Sequence, residues 1–227
     1  MTERDPSFKF SDSARKVLVW DFPTRAFHWL LVILMVVSIV TIKIGGNAMK
    51  FHMWSGYAIL TLITFRITWG LVGSYYSRFW TFTFGPGAII DYIKGKTRYL
   101  GHNPLGAGSV FALIGAVLFQ AASGLFANDD IATEGPLVKL ITKELSDKIT
   151  GWHKFNEKII YALVALHVLA ILFYLFKKKE NLIVPMITGY KTVQERVTEY
   201  APVSTILAAL ILAACGGGVW YLVNFVK

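Results

Sequence analysis

Five apolar stretches, each about twenty residues long, alternate with polar and charged segments along this chain. They cover residues 20–44, 52–72, 107–127, 155–176 and 203–223. A helix rises about 1.5 Å per residue, so each stretch is long enough to cross roughly 30 Å of hydrocarbon. The pattern therefore predicts five transmembrane helices. The connection at residues 45–51 is short, so the first two spans are expected to be antiparallel neighbours. Pro23 suits a first helical turn, where its missing N–H costs little. The loop at 74–106 is long, and residues 88–100 within it pattern as an amphipathic helix lying on the membrane surface. Asn103-Pro104-Leu105-Gly106 marks the turn into the third span. In the loop at 128–151, residues 136–148 read as a further short helix.

Composition agrees with this pattern. Of the 227 residues, 55% are apolar and only 16% charged, with a mean hydropathy of +0.52; soluble domains carry about a quarter charged residues. The net charge of +9 could suggest nucleic acid, but the basic residues crowd alternate loops. Arg4, Lys9, Arg15, Lys16 and Arg25 precede or open the first span. Arg78, Lys94, Lys96 and Arg98 follow the second, and Lys177, Lys178, Lys179, Lys191 and Arg196 follow the fourth. The opposite loops hold fewer: Lys43 and Lys50, then Lys139, Lys143 and Lys148, then Lys227. By the positive-inside rule the N-terminus is expected to be cytoplasmic and the C-terminus periplasmic, with anionic lipid as a secondary partner and no role for nucleic acid. The first sixteen residues lack the apolar core and small-residue cleavage site of a secretory signal. The single cysteine, Cys215, excludes an intramolecular disulfide, and no C-x-x-C-H is present, so any haem would be held by coordination and packing, as b-type.

The candidate chemistry lies in the histidines. His153 and His167 are fourteen residues apart on one predicted helix. That spacing returns the chain to within about 40° of the same face and about 21 Å along the axis. Two imidazoles so placed can each serve a separate haem iron. His28 and His167 match as ligands of an inner haem, and His52 and His153 as ligands of an outer one, provided the membrane boundary sits near Trp20. Taken singly, His28, His52 and His153 could be interfacial anchors, whereas His167 has apolar neighbours throughout and is functional by default. Arg66, fourteen residues after His52, is either a partner for an inner haem propionate or a side chain snorkelling to lipid phosphate. Arg25 is a second propionate candidate, and Lys50 and Lys154 are the candidates on the outer side. Gly56 either leaves room for a porphyrin edge or serves ordinary helix packing. His102 is either structural or, with Asn103, part of a quinone pocket.

These residues also carry a resemblance. Val19-Trp20-Asp21-Phe22-Pro23-Thr24-Arg25-Ala26-Phe27-His28-Trp29, Phe51-His52-Met53 and Arg66-Ile67-Thr68-Trp69-Gly70 resemble the bacterial cytochrome b561 family, itself related to the cytochrome b subunits of nickel–iron hydrogenases and formate dehydrogenases. So do Gly101-His102-Asn103-Pro104-Leu105-Gly106, His153 with His167, and the run from Glu180 to Gly189. The resemblance implies a four-helix bundle holding two b haems, with ligands at His28, His52, His153 and His167, and it covers residues 19 to about 191. The expected organisation is a cytoplasmic segment at 1–19, a di-haem four-helix domain at 20–191, and a linker with an additional helix at 192–227.

The expected function is electron transfer between a membrane quinone, ubiquinone or menaquinone, and a periplasmic partner, at a bacterial inner membrane. The acidic loop at 128–151 could dock a basic partner such as a c-type cytochrome; a dehydrogenase subunit is the other candidate. Resemblance also allows a superoxide:ubiquinone oxidoreductase, with Lys50 and Lys154 attracting the anion, or a haem-bearing membrane anchor of a dehydrogenase or hydrogenase. A non-redox alternative treats the histidines as ligands of a transported metal ion.

Overall fold

The computed structural model describes residues 14–194 and 197–226; Arg4, Lys9, Arg196 and Lys227 of the charge pattern lie outside them. Five long helices match the five apolar stretches: α1 (Phe22–Ile44), α2 (Met49–Val72), α4 (Pro104–Gly124), α5 (Lys143–Phe176) and α7 (Thr205–Phe225). Two short helices, α3 (Pro86–Ile93) and α6 (Ile183–Thr188), lie between them. The protein is a multi-pass membrane protein built on a helical bundle. In α2, half of the most apolar window is buried inside the protein, against 6% to 11% in the other four helices. So α2 is the central post, with α1, α4 and α7 packed around it and α5 packed on α4. Its inner face joins Ile59, Leu62, Ile63, Phe65 and Trp69 to Phe27 of α1, Val117 of α4, Ile160 of α5 and Ala208 of α7. α1 and α5 are not among the closely packed pairs, which leaves room between them.

Local chemistry sets the helix ends. Asp21 caps α1 by accepting from the Thr24 N–H at 2.9 Å, and Pro23 occupies the first turn. Asn103 caps α4 through the Gly106 N–H at 2.8 Å, ahead of Pro104. Such caps satisfy N–H groups that have no partner within the helix.

Three sequence expectations need correcting. The fourth long helix starts at Lys143, not near residue 155, because Thr142 caps it and the apolar pattern marks only its membrane-embedded part. At 34 residues it is about 51 Å long, so its first turns project beyond the hydrocarbon. The short helix expected at 136–148 is accordingly absorbed: a single 3₁₀ turn, Val138–Leu140, precedes α5. The surface helix expected at 88–100 is shorter and earlier, Pro86–Ile93, because Gly95 adopts a left-handed φ of 73° and ends it.

A two-stranded antiparallel ribbon was not anticipated. β1 (Arg15–Leu18) pairs with β2 (Tyr190–Val193), Arg15 opposite Val193 and Leu18 opposite Tyr190. Gly189 makes this junction possible: its φ is 93°, and a Cβ there would lie 2.8 Å from the Trp20 carbonyl oxygen. Its own carbonyl accepts from the N–H groups of Val19 and Trp20. The ribbon thus ties the start of α1 to the segment that follows α5 and α6.

Candidate functional site

The fold brings the four histidines together in two pairs. Near the ribbon end, the rings of His28 (α1) and His167 (α5) face each other with centroids 6.4 Å apart. Near the opposite end, His52 (α2) and His153 (α5) face each other at 6.3 Å. A metal–imidazole bond is about 2.0 Å and the ring centre lies about 1.1 Å behind the donor nitrogen, so a metal held linearly between two imidazoles separates their centres by roughly 6.2 Å. Both gaps match that figure. Among the described residues no cluster of three or more His, Cys, Asp or Glu side chains could hold a metal ion. Each pair therefore offers two bonds, and an iron there needs its remaining positions filled by a macrocycle.

Beside His52 and His153 lies a cavity of about 610 Å³, within the usual range for cofactor sites. Gly56 is on its wall, with nothing within 4 Å of where a Cβ would be, so ordinary close helix packing does not account for that glycine. Lys154 lines the same cavity together with Asp129, Glu157 and Lys158. Lys50 is placed differently: its ammonium sits 5.0 Å from the Phe51 ring centre.

The two pairs differ in their surroundings. His52 Nδ1 is 3.0 Å from both the carbonyl oxygen and the hydroxyl of Ser38. His153 Nδ1 is 3.0 Å from the Ser123 hydroxyl, and its Nε2 is 3.0 Å from the Gln120 amide nitrogen. Asn156 in turn donates to Gln120 Oε1 at 2.8 Å. At the ribbon end, by contrast, His28 Nδ1 is buried with no hydrogen-bond partner among the described residues, and the ring meets Trp29 edge-on at 4.9 Å.

The predicted arginines lie at the ribbon end as well. Arg66 is 2% exposed, which removes the snorkelling alternative. Its guanidinium lies 4.8 Å from the Phe79 ring centre, one of its terminal nitrogens has no partner among the described residues, and Asp21 is the carboxylate acting on it. Asp21 is itself buried, accepting from Trp69 Nε1 at 3.0 Å and from the Ser77 hydroxyl at 3.1 Å. Arg25 donates to the Ile187 carbonyl at the end of α6, while its Nε is buried without a partner among the described residues.

His102 is wedged between Trp20 and Phe82, with ring centroids 4.6 and 4.2 Å away. Burial, with Arg66 and Lys191 nearby, pushes its pKa down to about 3, so it is neutral at physiological pH. It borders a second cavity of about 450 Å³ walled by Tyr75, Tyr76, Phe84, Arg98, Tyr99 and Tyr200. Asn103 does not line that cavity; it caps α4 and donates to the Tyr174 hydroxyl, which is bonded to that of Tyr92.

Sequence reasoning missed Gln120, Ser123, Asn156 and Asp21. Gln120 was detectable as an amide inside an apolar span. Asp21 was detectable as an acid immediately before a proline-containing first turn. Ser123 is indistinguishable in sequence from any small packing residue.

Comparison with known proteins agrees with this architecture. The family model of prokaryotic cytochrome b561 matches residues 19–189. A protein of Escherichia coli strain K12 described as "Probable Ni/Fe-hydrogenase 1 B-type cytochrome subunit" is 25% identical over 219 residues, covering 80% of this chain and 93% of its own. The protein of that description from Escherichia coli O157:H7 matches to the same extent. No solved structure matches significantly.

Proposed function

The chain belongs to the prokaryotic cytochrome b561 family, a membrane haem b electron-transfer protein, and from that premise we propose that it holds two b haems, one between His28 and His167 and one between His52 and His153. The supporting observation is the pair of matched 6.4 and 6.3 Å gaps, each sized for one metal and two imidazoles. Bound haem b supplies one-electron ferric–ferrous chemistry, and two imidazoles per iron leave no open position for oxygen. The protein's own part is to orient the rings, exclude water and set the local charge. The fourteen-residue spacing on α5 puts the sites about 21 Å apart along the axis.

Electrons then pass between membrane quinone and a redox partner on the periplasmic side. The basic loops support an inner-membrane topology with the N-terminus in the cytoplasm and the His52–His153 pair outermost. The relative's printed description favours a hydrogenase- or dehydrogenase-type catalytic subunit as that partner over a soluble c-type cytochrome. The cavity beside His102 suits the quinone: tyrosine rings for its planar head, and Arg98 with tyrosine hydroxyls for its carbonyls. Asn103 is committed to capping. Superoxide oxidation is the weaker reading, because the outer cavity wall carries two acids and two lysines and so offers the anion no net attraction. A transported metal ion would need a third ligand, and among the described residues no third His, Cys, Asp or Glu joins either pair. Arg66 and Arg25 remain the propionate partners we favour at the inner site, and Lys154 rather than Lys50 at the outer one, since Lys154 lines the cavity.

Pyridine haemochrome analysis of purified protein tests this reading. Two haem b per chain are expected; one or none would overturn the di-haem assignment. Co-purification of a catalytic subunit tests the partner.

A further inference from the structure

At the outer pair, the hydrogen-bond directions can be worked out one by one. Asn156 Nδ2 lies 2.9 Å from the Ala116 carbonyl, which can only accept, so this nitrogen is the donor and also donates to Gln120 Oε1. The Gln120 amide nitrogen is thereby the group facing His153 Nε2, which marks Nε2 as the nitrogen with the lone pair, and this contact must give way where that lone pair ligates a metal. His153 consequently carries its proton on Nδ1 and gives it to Ser123 Oγ. Ser123 can accept because its own hydrogen goes to the Gln120 carbonyl at 3.1 Å. His52 reaches the same tautomer independently: its Nδ1 faces the Ser38 carbonyl, an obligate acceptor, which leaves Nε2 with the lone pair. Both outer histidines therefore carry an engaged Nδ1–H and keep their lone pair on Nε2, which at His153 faces the Gln120 amide. At the inner pair, His28 Nδ1 has no such acceptor among the described residues.

We propose that the Ser123 hydroxyl and the Ser38 carbonyl are positioning groups for His153 and His52, and that they hold the midpoint potential of the outer haem below that of the inner one. This rests on the ligand assignment proposed above. An acceptor on Nδ1–H pushes electron density toward Nε2 and makes the imidazole a stronger donor. A stronger axial donor stabilises ferric over ferrous iron and lowers the potential. The outer cavity wall carries two acids, Asp129 and Glu157, and two lysines, Lys154 and Lys158, with Lys43 paired to Glu157 at 3.1 Å. At the inner site the buried Arg66 acts in the opposite direction, favouring the ferrous form.

The test uses potentiometry on the purified holoprotein. In the otherwise unaltered chain the outer wave is expected below the inner one; the reverse order overturns the proposal. On a His167→Ala background only the outer haem remains, so its wave is read without overlap. There Ser123→Ala is expected to shift the wave upward and to move the low-spin ferric EPR signal with it. Ser123→Thr, which keeps the hydroxyl, is expected to leave both in place. An unmoved wave in a haem-loaded Ser123→Ala protein sinks the inference and leaves the ligand assignment standing. A His167→Ala parent without a bis-imidazole signal sinks the assignment itself. Should Ser123→Ala not assemble, Ser123→Cys, a weaker acceptor, decides by the same criterion.

Discussion

Where His52 faces His153, both rings are held by neighbours in the surrounding helices: Ser38 on one side, and the Ser123, Gln120 and Asn156 chain on the other. Where His28 faces His167, polar groups are instead left waiting: His28 Nδ1, Arg25 Nε and one Arg66 nitrogen are buried without partners among the described residues. Buried polar groups almost always find partners, and an unmade bond there costs about 1–3 kcal/mol. The outer rings are thus oriented through Nδ1 by the protein itself, with Gln120 against His153 Nε2 and Asn128 Oδ1 unpartnered among the described residues on the cavity wall, whereas at the inner pair the His28 ring has no such support among the described residues. One spacing rule places both pairs, but the two ends depend on their cofactor to different degrees.

Removing a ligand from each end breaks that comparison most severely. His153→Ala and His167→Ala should each halve the haem content, with His153→Ala sparing the inner haem and His167→Ala the outer. Pyridine haemochrome counts with reduced-minus-oxidised spectra read this directly, and a variant that keeps both haems refutes the pairing. The inner loss should also lower the thermal stability of the protein more, since it strands the orphaned polar groups.

A smaller but cleaner effect comes from Gly56. A Cβ there has nothing within 4 Å, and the position lies on the wall of the outer cavity. Gly56→Leu should therefore leave helical content by circular dichroism unchanged while reducing outer haem occupancy several-fold. Full occupancy would mean that the cavity does not hold the macrocycle.

Much of this was legible in the sequence, for identifiable reasons. Helix positions follow from apolar length, and the histidine pairing follows from helix pitch, because both are local properties read at fixed spacing. The depth of His28 needed one assumption, a membrane boundary near Trp20; α1 begins at Phe22 and brings His28 to within 6.4 Å of the His167 ring. The β1–β2 ribbon was not legible. It joins Arg15 to Val193, 178 residues later in the chain, and each strand is too short to show a period. The support around His153 was hidden for a related reason: Ser123 and Gln120 acquire their roles only through the packing of α4 against α5.

Arg66 sharpens the inner side of the comparison. Arg66→Leu should lower the inner midpoint potential with little change at the outer haem, because a buried positive charge favours the ferrous form. Arg66→Lys, which keeps the charge, should retain most of the wild-type value. Equal shifts in both waves would show that Arg66 acts globally, through the fold.

The smallest expected effect concerns pH and involves no haem ligand. His102, beside the inner end, has its pKa pushed from 6.5 down to about 3 by burial and by Arg66 and Lys191. Above pH 6.5 it is neutral whether folded or unfolded and contributes no pH dependence. As pH falls below 6.5 the unfolded chain takes up a proton that the folded chain refuses, so stability must decline, with a slope of up to one proton. His102→Phe removes that site and keeps an aromatic ring between Trp20 and Phe82. Melting temperatures measured from pH 7 down to about pH 4 should therefore fall less steeply in the variant than in the parent. Equal slopes would mean that His102 takes up a proton in the folded protein at mildly acidic pH. Its cavity would then be wet and accessible, a conduit for quinone-linked protons at the inner end.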